Sequence, residues 1–157
     1  VLNDFAQNYY GKAAPYVLQY INSVTKNAIN RKAYLAISDN PIKHVNDFLN
    51  YTDLLSYGKI LAQAENAVQD KPVYLNRVRK ERLVIDYTIM RIAEKDDNLA
   101  AAARSNADLK YQVTASTQRF LDYTSKYLHI KRLTSHENAA YIYQEYSNAK
   151  SAIQKKM

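Results

Sequence analysis

The chain has 157 residues, a formal net charge of +7, a hydrophobic fraction of 47% and neither Cys nor Trp. This length suits one domain with a buried core, and the absence of Cys excludes disulfides and thiolate metal sites. With only two Gly and three Pro, the chain is poor in turn residues, which favours helices joined by short connections over sheets and long loops.

The first predicted element is a helix over residues 2–10. Its apolar side chains recur at helical spacing and share one side: Leu2, Phe5 and Tyr9. A break is expected near Gly11, because in a continuous helix the ring of Pro15 would clash with the carbonyl four residues earlier. A kink or a new start at Lys12 then leads into a helix that runs to about Asn30.

Residues 31–40 are compatible with an extended segment or with a helical turn around Tyr34–Ile37. Asn40 and Pro41 have the residue types of an N-cap followed by the first helical position. A short helix over residues 42–49 is expected to follow.

Two long helices are predicted next, separated by a tight turn at Asp70–Pro72. Thr52 is the expected N-cap of the first, whose apolar residues alternate three and four apart as in a packed bundle helix. The second covers residues 72–95 and carries apolar residues on two faces, which predicts a central helix that is contacted from both sides.

The C-terminal part begins with a polar break at Lys95–Asn98, followed by an Ala-rich turn or two. Residues 105–108 resemble an N-terminal capping pair, with Ser first and Asp three positions later, and predict a helix over residues 106–128. The capping box at Thr134–Glu137 predicts the start of a last helix, which is expected to run to about Lys155.

These elements predict an all-α fold, an antiparallel up-and-down bundle of four long helices with short helices at the N-terminus. Residues 1–157 are expected to form a single helical bundle domain. Because the chain opens with Val1 and without an initiator Met, we expect a mature form or a fragment of a larger multidomain protein.

The residue types indicate no catalytic residue, no metal ligand and no cofactor. The histidines, His44, His129 and His136, lack the i, i+4 spacing of a helical metal site. Gly11 and Gly58 are isolated, so neither a phosphate-binding loop nor the sharp turn of a nucleophilic Ser is expected. Acidic pairs lie in polar turns or at surface helix spacing, unlike the facing carboxylates of glycosidases. The chain alone is therefore not expected to be an enzyme.

The 15 tyrosines are expected mainly at the boundary between core and water, because Tyr has an apolar ring and a polar tip. The alternative is stacking on sugar rings or bases, although the absence of Trp weakens the case for sugars. The segment from Arg77 to Tyr87 comes nearest to the mixture of aromatic and basic residues that binds nucleic acid. The binding candidates are six residues from these regions: Tyr9, Tyr10, Arg79, Arg82, Asp86 and Tyr87.

Arg82 and Asp86 are four residues apart on the predicted central helix, as are Arg77 and Glu81. This is the spacing of intrahelical ion pairs that contribute a few tenths of a kcal/mol. The alternative is that Arg79, Arg82 or Asp86 points inward and fixes a neighbouring loop or domain. In that case, replacing Asp86 by Ala should lower the melting temperature by several degrees.

The positive charge permits an acidic partner, such as nucleic acid, a membrane surface or an anionic polysaccharide. The basic residues are dispersed, however, and the densest run, Arg77–Arg82, contains Glu81. Nucleic acid is therefore disfavoured as a partner. No apolar run approaches the ~20 residues that cross a bilayer, so no membrane span is predicted.

Two segments carry a resemblance to a known family. The first, residues 9–21, reads YYGKAAPYVLQYI, and the second combines AQAENAV over residues 62–68 with YLNRVRKERLVIDY over residues 74–87. They resemble the helical region that follows the barrel in large secreted glycoside-hydrolase-like proteins of gut Bacteroidetes, a domain of unknown function distantly similar to α-glucuronidases and β-hexosaminidases. The likeness covers roughly residues 2–95. Val84 departs from it, because many relatives have Pro there.

The resemblance implies a secreted, periplasmic or cell-surface protein of polysaccharide degradation. Any catalytic carboxylates would lie in a barrel upstream of Val1 in the same parent chain, and polysaccharide contact is a further implication. The leading hypothesis is therefore a non-catalytic accessory domain that packs against this barrel. The alternative is an independent helical module that binds a protein or an acidic polymer. Isolation would expose a docking face, which predicts an apolar patch or a dimer.

Overall fold

The computed structural model describes residues 1–33, 49–127 and 139–157. Every regular element in these ranges is helical, which confirms the predicted all-α class. The helices follow one another in this order: α1 (Leu2–Tyr10), α2 (Ala14–Asn30), α3 (Tyr51–Ala67), α4 (Pro72–Lys95), α5 (Asp97–Ser105), α6 (Ala107–Tyr127) and α7 (Ala139–Lys156).

Local sequence explains where several helices begin and end. A 3-10 turn over Gly11–Ala13 separates α1 from α2, and Pro15 lies in the first turn of α2, where its missing N–H costs no intrahelical hydrogen bond. Helix α4 has the predicted bounds, Pro72–Lys95. It ends immediately before Asp96, whose side chain accepts a hydrogen bond from the backbone N–H of Asn98 and so caps the start of α5.

Two predicted N-caps are wrong. Helix α3 is capped by Asn50 and not by Thr52, because Asn50 Oδ1 accepts a hydrogen bond from the backbone N–H three residues later at 3.0 Å. Helix α6 is capped in the same way by Asn106, and the Ser105 hydroxyl instead donates to a carbonyl of α5 at 3.2 Å. In both places an Asn, and not the nearby Ser or Thr, is the N-cap, although both residue types can accept the backbone hydrogen bond.

Helices α2, α3, α4, α6 and α7 each have 17 or more residues. The described part of the chain thus has five long helices where four are predicted. Helix α2 is long because nothing after Pro15 interrupts its helical pattern before Asn30.

Some sequence predictions fall outside the described residues. These are the alternatives at Tyr34–Ile37, the cap at Asn40 with Pro41, the helix over residues 42–49 apart from Leu49, and the capping box at Thr134–Glu137. The three histidines lie in the same parts of the chain.

The described chain divides into two compact units, Val1–Ile85 (unit 1) and Asp86–Met157 (unit 2). One cluster in the core of unit 1 is built mainly from small residues, which let helix backbones approach closely. Its members are Ala6, Tyr10, Ala13, Ala14, Val17, Ala64, Val68 and Val78. At the far end of α2, the Arg31 guanidinium lies 2.7 Å from the Asp53 carboxylate and so joins α2 to the start of α3.

Unit 2 has a core of larger aliphatic side chains. Those that are fully or almost fully buried include Ile89, Met90, Ile92, Leu99, Val113 and Ile153. Buried hydroxyls accompany them, and the Thr117 hydroxyl donates to a carbonyl of its own helix at 2.9 Å. Lys156 Nζ donates to the Glu94 carbonyl at the end of α4 at 2.7 Å, where the helix dipole favours a cation.

Candidate functional site

Tyr9 is the centre of a stack of three side chains in unit 1. The Phe5 ring lies parallel to it at 5.1 Å, and the Arg77 guanidinium lies 4.3 Å from the centre of the Tyr9 ring. Arg77 Nη1 also donates to the Tyr9 carbonyl at 2.8 Å. Arg77 therefore links α4 to the end of α1 through both a cation–π contact and a hydrogen bond.

Tyr10, the second tyrosine candidate, is buried. Its hydroxyl donates to Glu81 Oε1 in α4 at 2.7 Å, and its ring meets that of Tyr9 edge to face at 4.9 Å. Burial, followed by the bond to the Glu81 carboxylate, raises the pKa of the Tyr10 phenol well above its ordinary value. The hydroxyl thus stays protonated and serves as a structural donor, out of reach of a ligand.

Gly11, between α1 and α2, allows close packing against α4. Gly11 has φ +56°, a conformation that side chains with a Cβ rarely adopt. A Cβ at this position would lie 3.0 Å from the Tyr74 ring. Gly11 therefore both turns the chain after α1 and leaves room for Tyr74 of α4.

The two arginine candidates of unit 1 differ in their surroundings. Arg79 is exposed, so the prediction that it could point inward does not hold for this residue. Arg82 is mostly covered, and its guanidinium lies 3.3 Å from the Glu65 carboxylate of α3. Arg82 therefore joins two helices instead of serving only as an intrahelical partner.

Asp86 is the most deeply buried candidate, with 2% of its surface exposed. Arg119 of α6 holds it through two hydrogen bonds, Nε to Oδ2 at 3.0 Å and Nη2 to Oδ1 at 2.7 Å. The same Nη2 donates to the Ser116 hydroxyl at 2.9 Å. Asp86 therefore points inward, as the stronger sequence hypothesis predicts, but its partner lies on a helix, α6, and not on a loop or another domain.

Tyr87 lies beside this ion pair in an aromatic cluster of unit 2. Its ring is 5.4 Å from that of Phe120 and 5.9 Å from that of Tyr146, and the last two are 5.0 Å apart. Tilted and edge-to-face contacts of this kind contribute about 0.5–1.5 kcal/mol per pair beyond their area. Tyr87 is half-buried, and its ring takes part in packing between helices of unit 2.

The six candidates are divided between the two units. Four of them lie in unit 1 and two, Asp86 and Tyr87, in unit 2. The side chains that complete their contacts are largely ones that sequence reasoning does not select as candidates: Phe5, Glu65, Tyr74, Arg77 and Arg119. For Arg119 a signal exists, because it is a cation placed between the buried residues of α6.

One surface of unit 1 is apolar and exposed. Leu2 and Phe5 are 51% and 53% exposed, and half-buried Tyr9 continues the same side of α1. We call Leu2, Phe5 and Tyr9 the α1 row. Exposed apolar side chains grouped on one side of a helix are typical of a surface that contacts another molecule.

Two further observations concern metal and ligand binding in the described ranges. Across residues 1–33, 49–127 and 139–157, no group of three His, Cys, Asp or Glu side chains is arranged to hold a metal ion. A shallow groove runs along α2, and its described lining has Lys26 as its one titratable group: Pro15, Leu18, Gln19, Asn22, Ser23 and Lys26. Among the described helices, none combines the length and the apolar character that crossing a bilayer requires.

Comparison of the chain with models of known protein families, with curated proteins and with solved structures finds no match.

Proposed function

We propose that this chain is a non-catalytic helical accessory domain of a secreted glycoside-hydrolase-like protein of polysaccharide degradation, and that it packs against an upstream catalytic barrel of the same parent chain. The antiparallel up-and-down arrangement of its helices is part of the proposal. So are contact with the polysaccharide and a secreted, periplasmic or cell-surface location.

The observation that carries the proposal is the exposed α1 row. Burying a Leu or Phe side chain stabilises a fold or a complex by roughly 1.5–3 kcal/mol, so leaving two of them in water gives up a considerable contribution. Leu2 and Phe5 are each about half exposed on one side of a single helix. A docking face explains this placement, because a partner would cover both residues together.

The residues that carry the family resemblance support a structural role. The segment over residues 9–21 supplies Tyr10, Ala13, Ala14 and Val17 to the core of unit 1. The segments over residues 62–68 and 74–87 supply Ala64, Val68 and Val78 to the same core. Motifs that build one packed core are what a supporting helical domain requires.

The ion pairs between helices also support a structural role. Arg82 is paired with Glu65 between α4 and α3, and Asp86 with Arg119 between α4 and α6. Both carboxylates are paired with arginines of another helix, and the Asp86 carboxylate accepts two hydrogen bonds from Arg119. Their role in the proposal is stability.

A direct test is the reading frame that encodes the parent protein. The proposal expects several hundred residues upstream of Val1 in which strands and helices alternate, as a barrel requires. A start codon or a signal peptide immediately upstream of Val1 would refute the accessory role and favour an independent module.

A second test is hydrolysis of a panel of aryl glycosides by the purified 157-residue chain. The expected result is no release of the aryl group above the buffer control, since the carboxylates that catalyse the reaction are proposed to lie in the barrel. The parent protein, assayed on the same glycosides, is the comparison for the chain alone. Turnover by the chain alone would contradict the proposal.

The second candidate function is an independent helical module that binds a protein or an acidic polymer. The observation that favours it is the exposed positive charge of unit 1, where Lys12, Arg79 and Lys80 are all exposed. Retention on DNA or on an acidic polysaccharide that falls steeply with salt would support this candidate. Retention that does not depend on salt would count against it.

A further inference from the structure

A second exposed row lies on α4. Val73, Arg77, Lys80 and Val84 follow one another at intervals of four, three and four residues, which places them on one side of a helix. We call these residues the α4 stripe. Its two valines are 62% and 55% exposed, Lys80 is exposed, and Arg77 is half-buried.

The α4 stripe borders the α1 row. Arg77 belongs to the stripe and touches Tyr9 of the row, with its guanidinium over the ring at 4.3 Å and its Nη1 on the Tyr9 carbonyl at 2.8 Å. Two helices of unit 1 therefore present adjacent rows with the three- and four-residue spacing of helix–helix contacts. A third helix can lay its apolar side chains between such rows.

The charged members of the α4 stripe, Arg77 and Lys80, are both cations. The nearest acid on α4, Glu81, lies outside the stripe and accepts the hydrogen bond of the Tyr10 hydroxyl. Asp4 of α1 is two residues from Leu2, and at about 100° per residue it lies on the opposite side of the helix. Acidic side chains on a partner would therefore meet cations at this surface.

Other occupants fit less well. The Tyr9 ring is contacted by both Phe5 and Arg77, which leaves less of it open for stacking on a sugar. The cations of the stripe are flanked by valines, whereas a polyanion groove needs a continuous run of cations. A second copy of this chain would bring two positive stripes together, which is unfavourable.

We propose that the α1 row and the α4 stripe together form a docking groove for an acidic amphipathic helix of the molecule that covers the exposed face, which in the proposed function is the upstream barrel. The inference rests on the proposed function, because it names the chemistry of the partner that covers the exposed face. Apolar side chains of this helix contact Leu2, Phe5 and Val84. Its Asp or Glu side chains pair with Arg77 and Lys80.

Three helical peptides with the same leucine stripe test the proposal. Their flanking positions carry Glu in the first, Gln in the second and Lys in the third. Titration of each into the 157-residue chain, followed by NMR chemical shifts, should give the tightest binding for the Glu peptide, about tenfold tighter than for the Lys peptide. Equal affinities for the three peptides, or no binding of the Glu peptide, would overturn the proposal.

Variants of the chain locate the site. Phe5→Glu and Val84→Glu should each weaken binding of the Glu peptide about tenfold or more, because they place an acid where apolar contact is expected. Ile29→Glu on α2 and Tyr111→Glu on α6 are the matched controls, since both side chains are well exposed and lie outside the groove. Lys80→Glu should reverse the preference between the Glu and Lys peptides. Binding that survives Phe5→Glu and Val84→Glu would refute the groove.

Two further results would also overturn the inference. One is binding of polygalacturonate that requires Arg77 and Lys80 but not Phe5. The other is self-association of the chain that Phe5→Glu abolishes.

The inference and the proposed function fail separately. An upstream barrel without peptide binding leaves the accessory role standing and removes this groove. Peptide binding by a chain whose gene encodes no upstream barrel would support the groove and refute the accessory role.

Discussion

Units 1 and 2 share helix α4 but use different means to hold it. In unit 1 the helix is joined to α1 through aromatic rings and hydroxyls, with Arg77 over Tyr9 and Glu81 bonded to Tyr10. In unit 2 it is joined to α6 by a buried carboxylate, Asp86, that Arg119 holds at two points.

This difference indicates which contacts of each unit can be exposed to water. Tyr side chains seal a boundary with an apolar ring and a polar tip, so unit 1 can keep part of its aromatic surface exposed. The Asp86 carboxylate is itself buried, and its burial is offset by two well-placed hydrogen bonds from Arg119. We therefore expect unit 1 to carry the contact surface and unit 2 to depend on its interior pair.

The sharpest way to break this comparison is to remove the buried acid of unit 2. Asp86→Ala should lower the free energy of unfolding by about 3 kcal/mol, at the low end for a broken buried pair because Arg119 can reach water. This corresponds to a fall of roughly 10 °C in the melting temperature of a chain of this size. Thermal denaturation followed by circular dichroism measures it.

The matched control in unit 1 is Glu65→Ala, which removes the partner of Arg82. The Arg82–Glu65 distance of 3.3 Å is longer than the 2.7 Å between Arg119 and Asp86, so we expect a smaller loss, of about 1 kcal/mol. If the two substitutions had equal effects, the two units would not differ in their dependence on a buried charge.

Unit 1 instead depends on close backbone approach, and the next largest effect is expected at its glycine corner. Gly11→Ala should cost about 2 kcal/mol, because φ of +56° is strained for Ala and its Cβ would lie 3.0 Å from the Tyr74 ring. Chemical denaturation measures the loss.

Gly58→Ala provides a control of opposite sign. A Cβ there would lie 4.0 Å from the nearest side chain, that of Ile85, and Ala favours a helix interior over Gly by up to about 1 kcal/mol. A stabilising Gly11→Ala or a strongly destabilising Gly58→Ala would contradict this account of the two glycines.

A further loss of stability is expected in unit 1 at alkaline pH, when Tyr20 ionises. Burial, then the nearby charge of Glu81, raises the pKa of Tyr20 from 10.0 to about 12. The folded chain thus keeps a proton that the unfolded chain loses, so this contribution to stability is complete below about pH 10 and is lost as the pH rises towards 12.

Melting temperatures measured at rising pH, with tyrosinate absorbance to follow ionisation, test this assignment. Tyr20→Phe should remove part of the alkaline loss of stability. The same loss in that variant would assign the effect to other groups.

The smallest effect is expected at an exposed pair in unit 2. The hydrogen bond and charge of Lys156 hold the pKa of Asp97 below its usual value of 3.8. Stability from this pair is present above that value and is lost as the pH falls through the lowered pKa. Lys156→Gln should raise the pKa of Asp97, as carboxyl NMR titration would show, whereas Lys155→Gln should leave it unchanged.

Much of the fold follows from local chemistry. The bounds of α4 are predictable because Pro72 suits a first helical position and Asp96 caps the next helix. The cap of α3 is not, because Asn50 and Thr52 can both accept a backbone hydrogen bond. Asn50 also donates to the Asp53 carboxylate, which Arg31 contacts from α2, and this tertiary pairing cannot be read from local spacing.

The candidate site was harder to predict for the same reason. Asp86 can be selected from the sequence as a charged residue on an apolar helix, but its partner Arg119 is 33 residues away. The importance of Phe5 depends on its exposure and on the stack with Tyr9. A sequence pattern alone predicts that an apolar residue of an amphipathic helix is buried.

The stack on α1 also offers a spectroscopic handle. The chain contains no Trp, so Phe5→Trp would give a single indole, placed on the outer side of Tyr9 and open to water. Its emission should shift to shorter wavelength whenever another molecule covers it. Occupancy of this one face could then be followed in a mixture, in real time and without an attached dye.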